Sequence, residues 1–256
     1  MDPSAHVLVV GAGGLGSPAA RALARSPGVA RLTVVDDDVV DASNLHRQTL
    51  FGPADVGAPK AERAARALAI LAREAGRAVD VVPVAGRFLP ETAVALLAGV
   101  DVVVEGADNF ATKFLVADAC GRARIPSVSA GCVRWAGWAL ATIPGRGACL
   151  RCVFEDVPAR LAASAGGAGA PPETCAEAGV VGPVVGALGA LEAALALRLL
   201  RGQAAAAGVL WRLDALSGRV RATAVRPREG CIACAGAFPP LTLASYAPPP
   251  DVVACG

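Results

Sequence analysis

The turn Gly11-Ala12-Gly13-Gly14-Leu15-Gly16 constrains this chain more than any other stretch. It follows His6-Val7-Leu8-Val9-Val10, a short apolar run, and precedes an Ala/Leu/Arg pattern of helical period from Ser17 to Ser26. The glycines therefore sit where a strand gives way to a helix. Glycines there let the backbone approach a phosphate, and the helix start offers unpaired N–H groups and the positive end of a dipole. A second buried run, Arg31-Leu32-Thr33-Val34-Val35-Asp36, ends in an acid at the spacing from the glycines where a carboxylate takes ribose hydroxyls. These two features predict a bound nucleotide without choosing among nucleotides.

The rest of the chain continues the alternation. Strands are expected over 79–84, 100–104 and 127–130, and helices over 61–74, 90–97 and 111–120. From residue 133 the pattern changes to strand material at 135–143 and an antiparallel pair, 209–213 and 220–225, around Ser217-Gly218. The fold class is α/β: a Rossmann-like, mainly parallel sheet flanked by helices and continued by antiparallel strands. The 256 residues fit one large domain. We place it at 1–238, with a nucleotide-binding part over 6–132, a crossover loop and zinc-bearing part over 133–238, and a Pro-rich surface tail over 239–256. The apolar stretch 178–200 is long enough to span a bilayer, but Pro183, Glu192, Arg198 and several glycines interrupt it, so it reads as a buried helix. A formal charge of +2 without a basic block gives no reason to expect nucleic acid or a membrane surface. No secretory signal precedes the first strand, and a cytoplasmic location is expected.

Polar residues cluster after the ribose acid. Ser43, Asn44, Arg47 and Gln48 fall within a turn or so of one another and could converge on the same nucleotide, with Arg47 as a fork for phosphate. Lys60 opens a helix behind Pro59, where a cation is unfavourable unless an anion is close; the alternative is an ordinary exposed lysine. Asp108, followed by Asn109, lies just past a strand's carboxyl end and serves either as a magnesium ligand or as a helix N-cap. Cys149-x-x-Cys152 and Cys231-x-x-Cys234 supply four thiolates, the ligand count of a closed structural zinc site. Cys175 stands apart, at the end of a Gly/Ala-rich loop and the start of the apolar helix. It is either a thiol activated by a helix N-terminus or an inert core residue. Cys120 and Cys132 read as core, Cys255 as tail.

Taken in order, these motifs resemble the ThiF/MoeB/HesA adenylyltransferases, bacterial relatives of the ubiquitin-activating enzymes. The resemblance runs from Val7 to Cys234 and includes the glycine turn, Asp36, Ser43 to Gln48, Gly57-Ala58-Pro59-Lys60, Asp108-Asn109, both cysteine pairs and Thr174-Cys175-Ala176-Glu177-Ala178-Gly179-Val180. It implies ATP and Mg²⁺ as the nucleotide and its ion, and a structural Zn²⁺. It also implies a ubiquitin-like sulfur-carrier protein ending in Gly-Gly, whose terminal carboxylate attacks the α-phosphate to give an acyl-adenylate and pyrophosphate. By the same resemblance Gly11, Gly13, Gly14 and Gly16 bring backbone to the phosphates and Asp36 holds the ribose. Ser43 and Gln48 belong to the nucleotide site, and Asn44, Arg47 and Lys60 contact phosphates. Asp108 holds magnesium with Asn109 beside it, and Cys175 matches a crossover-loop cysteine that is covalently linked to the carrier in some members and dispensable in others.

Family members are expected to form homodimers in which an arginine on an N-terminal helix reaches the neighbouring ATP site. Residues 1–5 offer no match for that helix, so another arginine substitutes, the start lies further upstream, or turnover is reduced. No match to the family's rhodanese extension is found either, and a separate sulfur donor protein is expected. Two other functions fit parts of the pattern: an NAD-dependent oxidoreductase using the same glycine turn, and a carrier-binding scaffold without turnover.

Overall fold

The computed structural model describes residues 5–154 and 179–246. Eight strands form one sheet in the order β3-β2-β1-β4-β5-β6-β7-β8. The strands are β1 (Ala5–Val10), β2 (Val29–Asp36), β3 (Asp80–Ala85), β4 (Val102–Glu105), β5 (Ser127–Val133), β6 (Ala136–Thr142), β7 (Val209–Asp214) and β8 (Arg219–Ala224). Pairing is parallel from β3 through β5 and antiparallel from β5 through β8, as the switch of pattern near residue 133 predicts. Pro83 is tolerated in β3 because that strand is the sheet's edge, where proline has no second ladder to break.

Strand side chains alternate between two cores. Val7, Val9, Val102 and Val104 pack on one face with α1 (Gly16–Ala24), α2 (Lys60–Glu74) and α6 (Gly182–Leu200). Leu8, Val10, Val35 and Val103 pack on the other with α3 (Pro90–Leu96), α4 (Phe110–Ala123), α5 (Leu150–Phe154) and α7 (Leu243–Tyr246). Central strands covered on both sides explain the unbroken apolar runs of β1 and β4. Cys120 and Cys132 are buried core residues, as expected.

Helix α6 is long and apolar enough to cross a membrane, with a mean hydropathy of 1.7. In the fold it packs against α1, β4, β5 and β6. Pro183, read from sequence as an interruption, lies in its first turn, where its missing N–H costs nothing. Residues 239–246, which composition assigns to a surface tail, end in α7, whose Tyr246 is buried. Cys175, with the rest of Thr174 to Ala178, and Cys255 lie outside the described residues.

The sheet order places β2 on one side of β1 and β4 on the other. Successive connections leave β1 in opposite directions, and the crevice at their carboxyl ends is where open α/β sheets bind ligands.

Candidate active site

The glycine turn closes against the end of β4. Gly11 leaves β1 with φ +87°, and its N–H bonds Val35 O at 2.8 Å. A Cβ on Gly16 would overlap the carbonyl of Gly11, and one on Gly106 would come within 2.9 Å of Gly16 N. A side chain at 16 would therefore push α1 off the end of β1, and one at 106 would push the end of β4 off the start of α1. Helix α1 begins without a side-chain cap; Ser17 N is taken by Gly13 O at 2.9 Å and Pro18 has no N–H, so an anion here would be met by the amides of the glycine turn that precedes them.

Asp36 ends β2 beside this turn. Its Oδ2 accepts from Ala12 N at 2.7 Å and its Oδ1 from Asp38 N at 2.9 Å. Burial pushes its carboxyl upward, while the two amide bonds oppose the shift. Each oxygen keeps a lone pair for a ribose hydroxyl.

The polar segment after β2 folds back over the turn. Asp41 caps a short 3₁₀ turn, Ala42–Asn44, taking both the amide (2.7 Å) and the hydroxyl (2.6 Å) of Ser43. Ser43 is thus committed to shaping its own turn. Asn44 O then accepts from Arg47 N and Gln48 N, each at 3.0 Å, which sends the next two side chains to the glycines. The Arg47 stem lies 3.5 Å from where a Cβ of Gly14 would be, and the Gln48 amide 4.0 Å from that of Gly13. Gln48 Oε1 is buried with no partner among the described residues, an acceptor waiting for a donor.

Lys60 is brought to the same edge by a clip: Val40 N bonds Ala58 O at 2.9 Å, and Lys60 N bonds Asp38 O at 2.9 Å. Its side chain is buried and its Nζ pairs with Asp38 at 2.8 Å. The ordinary exposed lysine is thereby ruled out.

Past β4, Asn109 rather than Asp108 caps α4, its side chain accepting from Thr112 N at 2.9 Å. The N-cap alternative for Asp108 is corrected by one residue. Asp108 is exposed at the rim and takes the Asn109 side-chain amide at 3.3 Å. Beneath it lies a pair that sequence reading missed: Lys113 bonds Glu105 at 3.1 and 3.2 Å and Ala130 O at 2.5 Å, all buried. Glu105 also accepts from Ala107 N at 2.6 Å, fixing the turn that leads to Asp108. The available signal was an acid ending the apolar run of β4 and a lysine set among apolar residues in the first turns of α4.

The four cysteines converge across 82 residues of sequence. Cys149 Sγ lies 3.6 Å from those of Cys152, Cys231 and Cys234, and Cys152 lies 3.4 Å from Cys234. A disulfide needs about 2 Å. Sulfurs at the corners of a tetrahedron around zinc, with bonds of about 2.3 Å, would stand about 3.8 Å apart, so the donor set fits that ion. All four sulfurs are committed to one another, so such a site is closed.

The ThiF family model matches residues 3–233. Adenylyltransferase and sulfurtransferase MOCS3 of Bos taurus is 42% identical over 93% of this chain and 50% of its own length. SAMP-activating enzyme E1 of Haloferax volcanii is 39% identical over 90% of this chain and 80% of its own. Sulfur carrier protein ThiS adenylyltransferase of Escherichia coli is 36% identical over 90% and 86%. The chain thus spans about half the length of its MOCS3 relatives and most of the length of the other two. A crystal structure of E. coli MccB with succinimide superposes with a TM-score of 0.72 at 23% identity, covering 91% of this chain and 67% of that one, and shares the fold. With a family model matched from before the glycine turn through Cys231, the chain belongs to the ThiF family.

Proposed function

We propose that this chain adenylylates the C-terminal glycine carboxylate of a ubiquitin-like sulfur carrier. A carboxylate oxygen forms a bond to the α-phosphorus of ATP as the bond to the pyrophosphate leaving group breaks, so that acyl-adenylate and pyrophosphate are the products. The observation that carries this reading is that the Arg47 stem and Asp36 lie against the glycine turn, with Lys60 held by Asp38 on the Asp36 side of it. The relatives named as ThiS adenylyltransferase and SAMP-activating enzyme support the substrate class.

A carboxylate is already a nucleophile, so the chemistry needs positioning and positive charge rather than a strong base. Backbone at Gly13 and Gly14 meets the phosphates, Asp36 holds the ribose, and Gln48 offers its unpartnered oxygen. Arg47 stabilises charge on the oxygens of the transferring phosphate, and Asn44 and Lys60 steady the same group. Asp108 fits magnesium as an exposed carboxylate just past the end of β4; the ion, held there with substrate phosphates, would supply neutralising charge. The protein works as a homodimer in the cytoplasm with a separate sulfur donor, and Cys175 either links covalently to the carrier or is dispensable. Isotope exchange between pyrophosphate and ATP, dependent on a carrier ending in Gly-Gly, tests the reading. A folded protein that exchanges with no such carrier defeats it.

A further inference from the structure

Helix α4 touches both the nucleotide edge and the cysteine centre. At its start Asn109 caps it next to Asp108, and Lys113 pins it to Glu105 and Ala130. Two turns on, Asp118 is 1% exposed and fully committed: Arg151 Nε reaches Oδ1 at 2.9 Å, and Arg151 Nη2 and Tyr246 OH reach Oδ2 at 2.6 and 2.8 Å. Phe114, one turn before Asp118 on the same helical face, lies under the same guanidinium at 4.9 Å from its ring centroid. Arg151 stands between Cys149 and Cys152, so its place on α4 is set by whatever holds those two sulfurs. The second cysteine pair joins the same helix, because Arg122 donates to Phe238 O at 2.8 Å and Pro239 O at 2.7 Å shortly after Cys234.

We propose that Arg151 and Asp118 are positioning residues that couple the four-cysteine metal centre to the Asp108 end of α4, so that metal and magnesium nucleotide strengthen each other's binding. The proposal rests on the adenylation reading for the identity of the nucleotide. The rise of eight residues from Phe110 to Asp118 is about 12 Å, short enough for a rigid rod to pass a shift at Asp118 to the helix start beside Asp108. Only a shared cation bonds the four sulfurs to one another, so loss of metal frees the cysteine turn and with it the Arg151 fork. Because binding couplings are reciprocal, each ligand must favour the other by the same factor.

Titration calorimetry on the full chain, with zinc bound and after chelation, measures affinity for Mg-ATP and for AMP. Chelation is expected to weaken Mg-ATP about tenfold while AMP, which does not need the magnesium end, changes less than about twofold. Asp118→Asn with its full metal content should show the same selective loss, and chelation should then add nothing. A merely destabilised fold would weaken both ligands. Unchanged Mg-ATP affinity on chelation of the wild type, or in metal-filled Asp118→Asn, overturns the proposal. Should Asp118→Asn fail to fold, Arg151→Lys, which keeps the charge and loses the fork, takes its place with the same two outcomes. A wild type that never binds Mg-ATP defeats the adenylation reading instead. Hydrogen exchange at residues 110–113 then decides the coupling: faster exchange without metal supports it, and unchanged exchange overturns it.

Discussion

Lys60 occupies the first turn of α2 at 4% exposure, a place hostile to a cation on two counts, burial and the helix dipole. Asp38 alone does not explain it, because that carboxylate is 59% exposed and such pairs contribute little to folding. A phosphate at the glycine turn would explain it. Lys60→Met should therefore lower the rate of carrier-dependent pyrophosphate exchange by about 10²-fold to 10³-fold while leaving the melting temperature nearly unchanged. A large drop in melting temperature with normal exchange would make Lys60 structural. Arg47→Ala is expected to behave alike, since its stem lies on the turn without filling the core. Glu192 is the opposite case: its side chain is 0% exposed, and neither carboxylate oxygen has a partner among the described residues. Burial holds its carboxyl well above the usual range, the nearby Glu105 adding and Lys113 opposing. The folded state thus keeps a proton that the unfolded state releases. Stability from this group is complete below the ordinary glutamate value and falls as pH rises through it, by up to about 1.4 kcal/mol per pH unit until the folded value is reached. Glu192→Gln should melt like the wild type near pH 4 and progressively above it as the pH rises past about 5. Parallel melting curves across that window would show that Glu192 ionises in the fold.

At the scale of elements, the strand–turn–helix at residues 5–24 makes two glycines do different jobs. A side chain at 16 meets the fixed carbonyl of Gly11, whereas one at 13 meets nothing closer than the Gln48 amide at 4.0 Å. Gly16→Ala should lower stability by about 1–3 kcal/mol. Gly13→Ala should melt normally yet bind ATP at least about tenfold more weakly, because its methyl group would keep phosphate off the backbone. Equal melting temperatures for the two variants would contradict the close approach of α1 to the end of β1. This turn was legible because local physics dictates it: a buried strand, a glycine run and an uncapped helix are all short-range signals. The parallel sheet and its antiparallel continuation were legible for the same reason. Short-range signals do not carry partners. Asp118 and Arg151 are 33 residues apart and Asp118 and Tyr246 are 128 apart, so nothing in the local pattern pairs them. Asn109 displaced Asp108 as cap because helix starts shift by a residue with side-chain geometry that spacing cannot show. The polar segment from Ser43 to Gln48 was legible as a cluster; which members turn the chain and which face the nucleotide was not.

Across the whole molecule, the antiparallel strands β7 and β8 lie in sequence between the two cysteine pairs. Metal at those cysteines would close a loop of 82 residues, holding the antiparallel half of the sheet to the helix that flanks the nucleotide edge. By chain entropy, closing a loop of that size is worth about 4.5 kcal/mol, if the unfolded chain keeps the cross-link. An ion that the unfolded chain releases stabilises instead by mass action, by about 4 kcal/mol at a thousandfold excess over its dissociation constant. Either route predicts that chelation lowers the melting temperature by about 10 °C and that zinc restores it. The routes differ in concentration dependence: mass action makes the midpoint climb with added zinc, while a retained cross-link makes it independent of zinc once the site is filled. Cys231→Ser, which removes one ligand from the buried corner of the centre, should match the chelated wild type and lose its response to zinc. A chelated protein that melts with the untreated one would mean that the sulfurs are close-packed thiols, and that the core on both faces of the sheet holds the antiparallel half in place unaided.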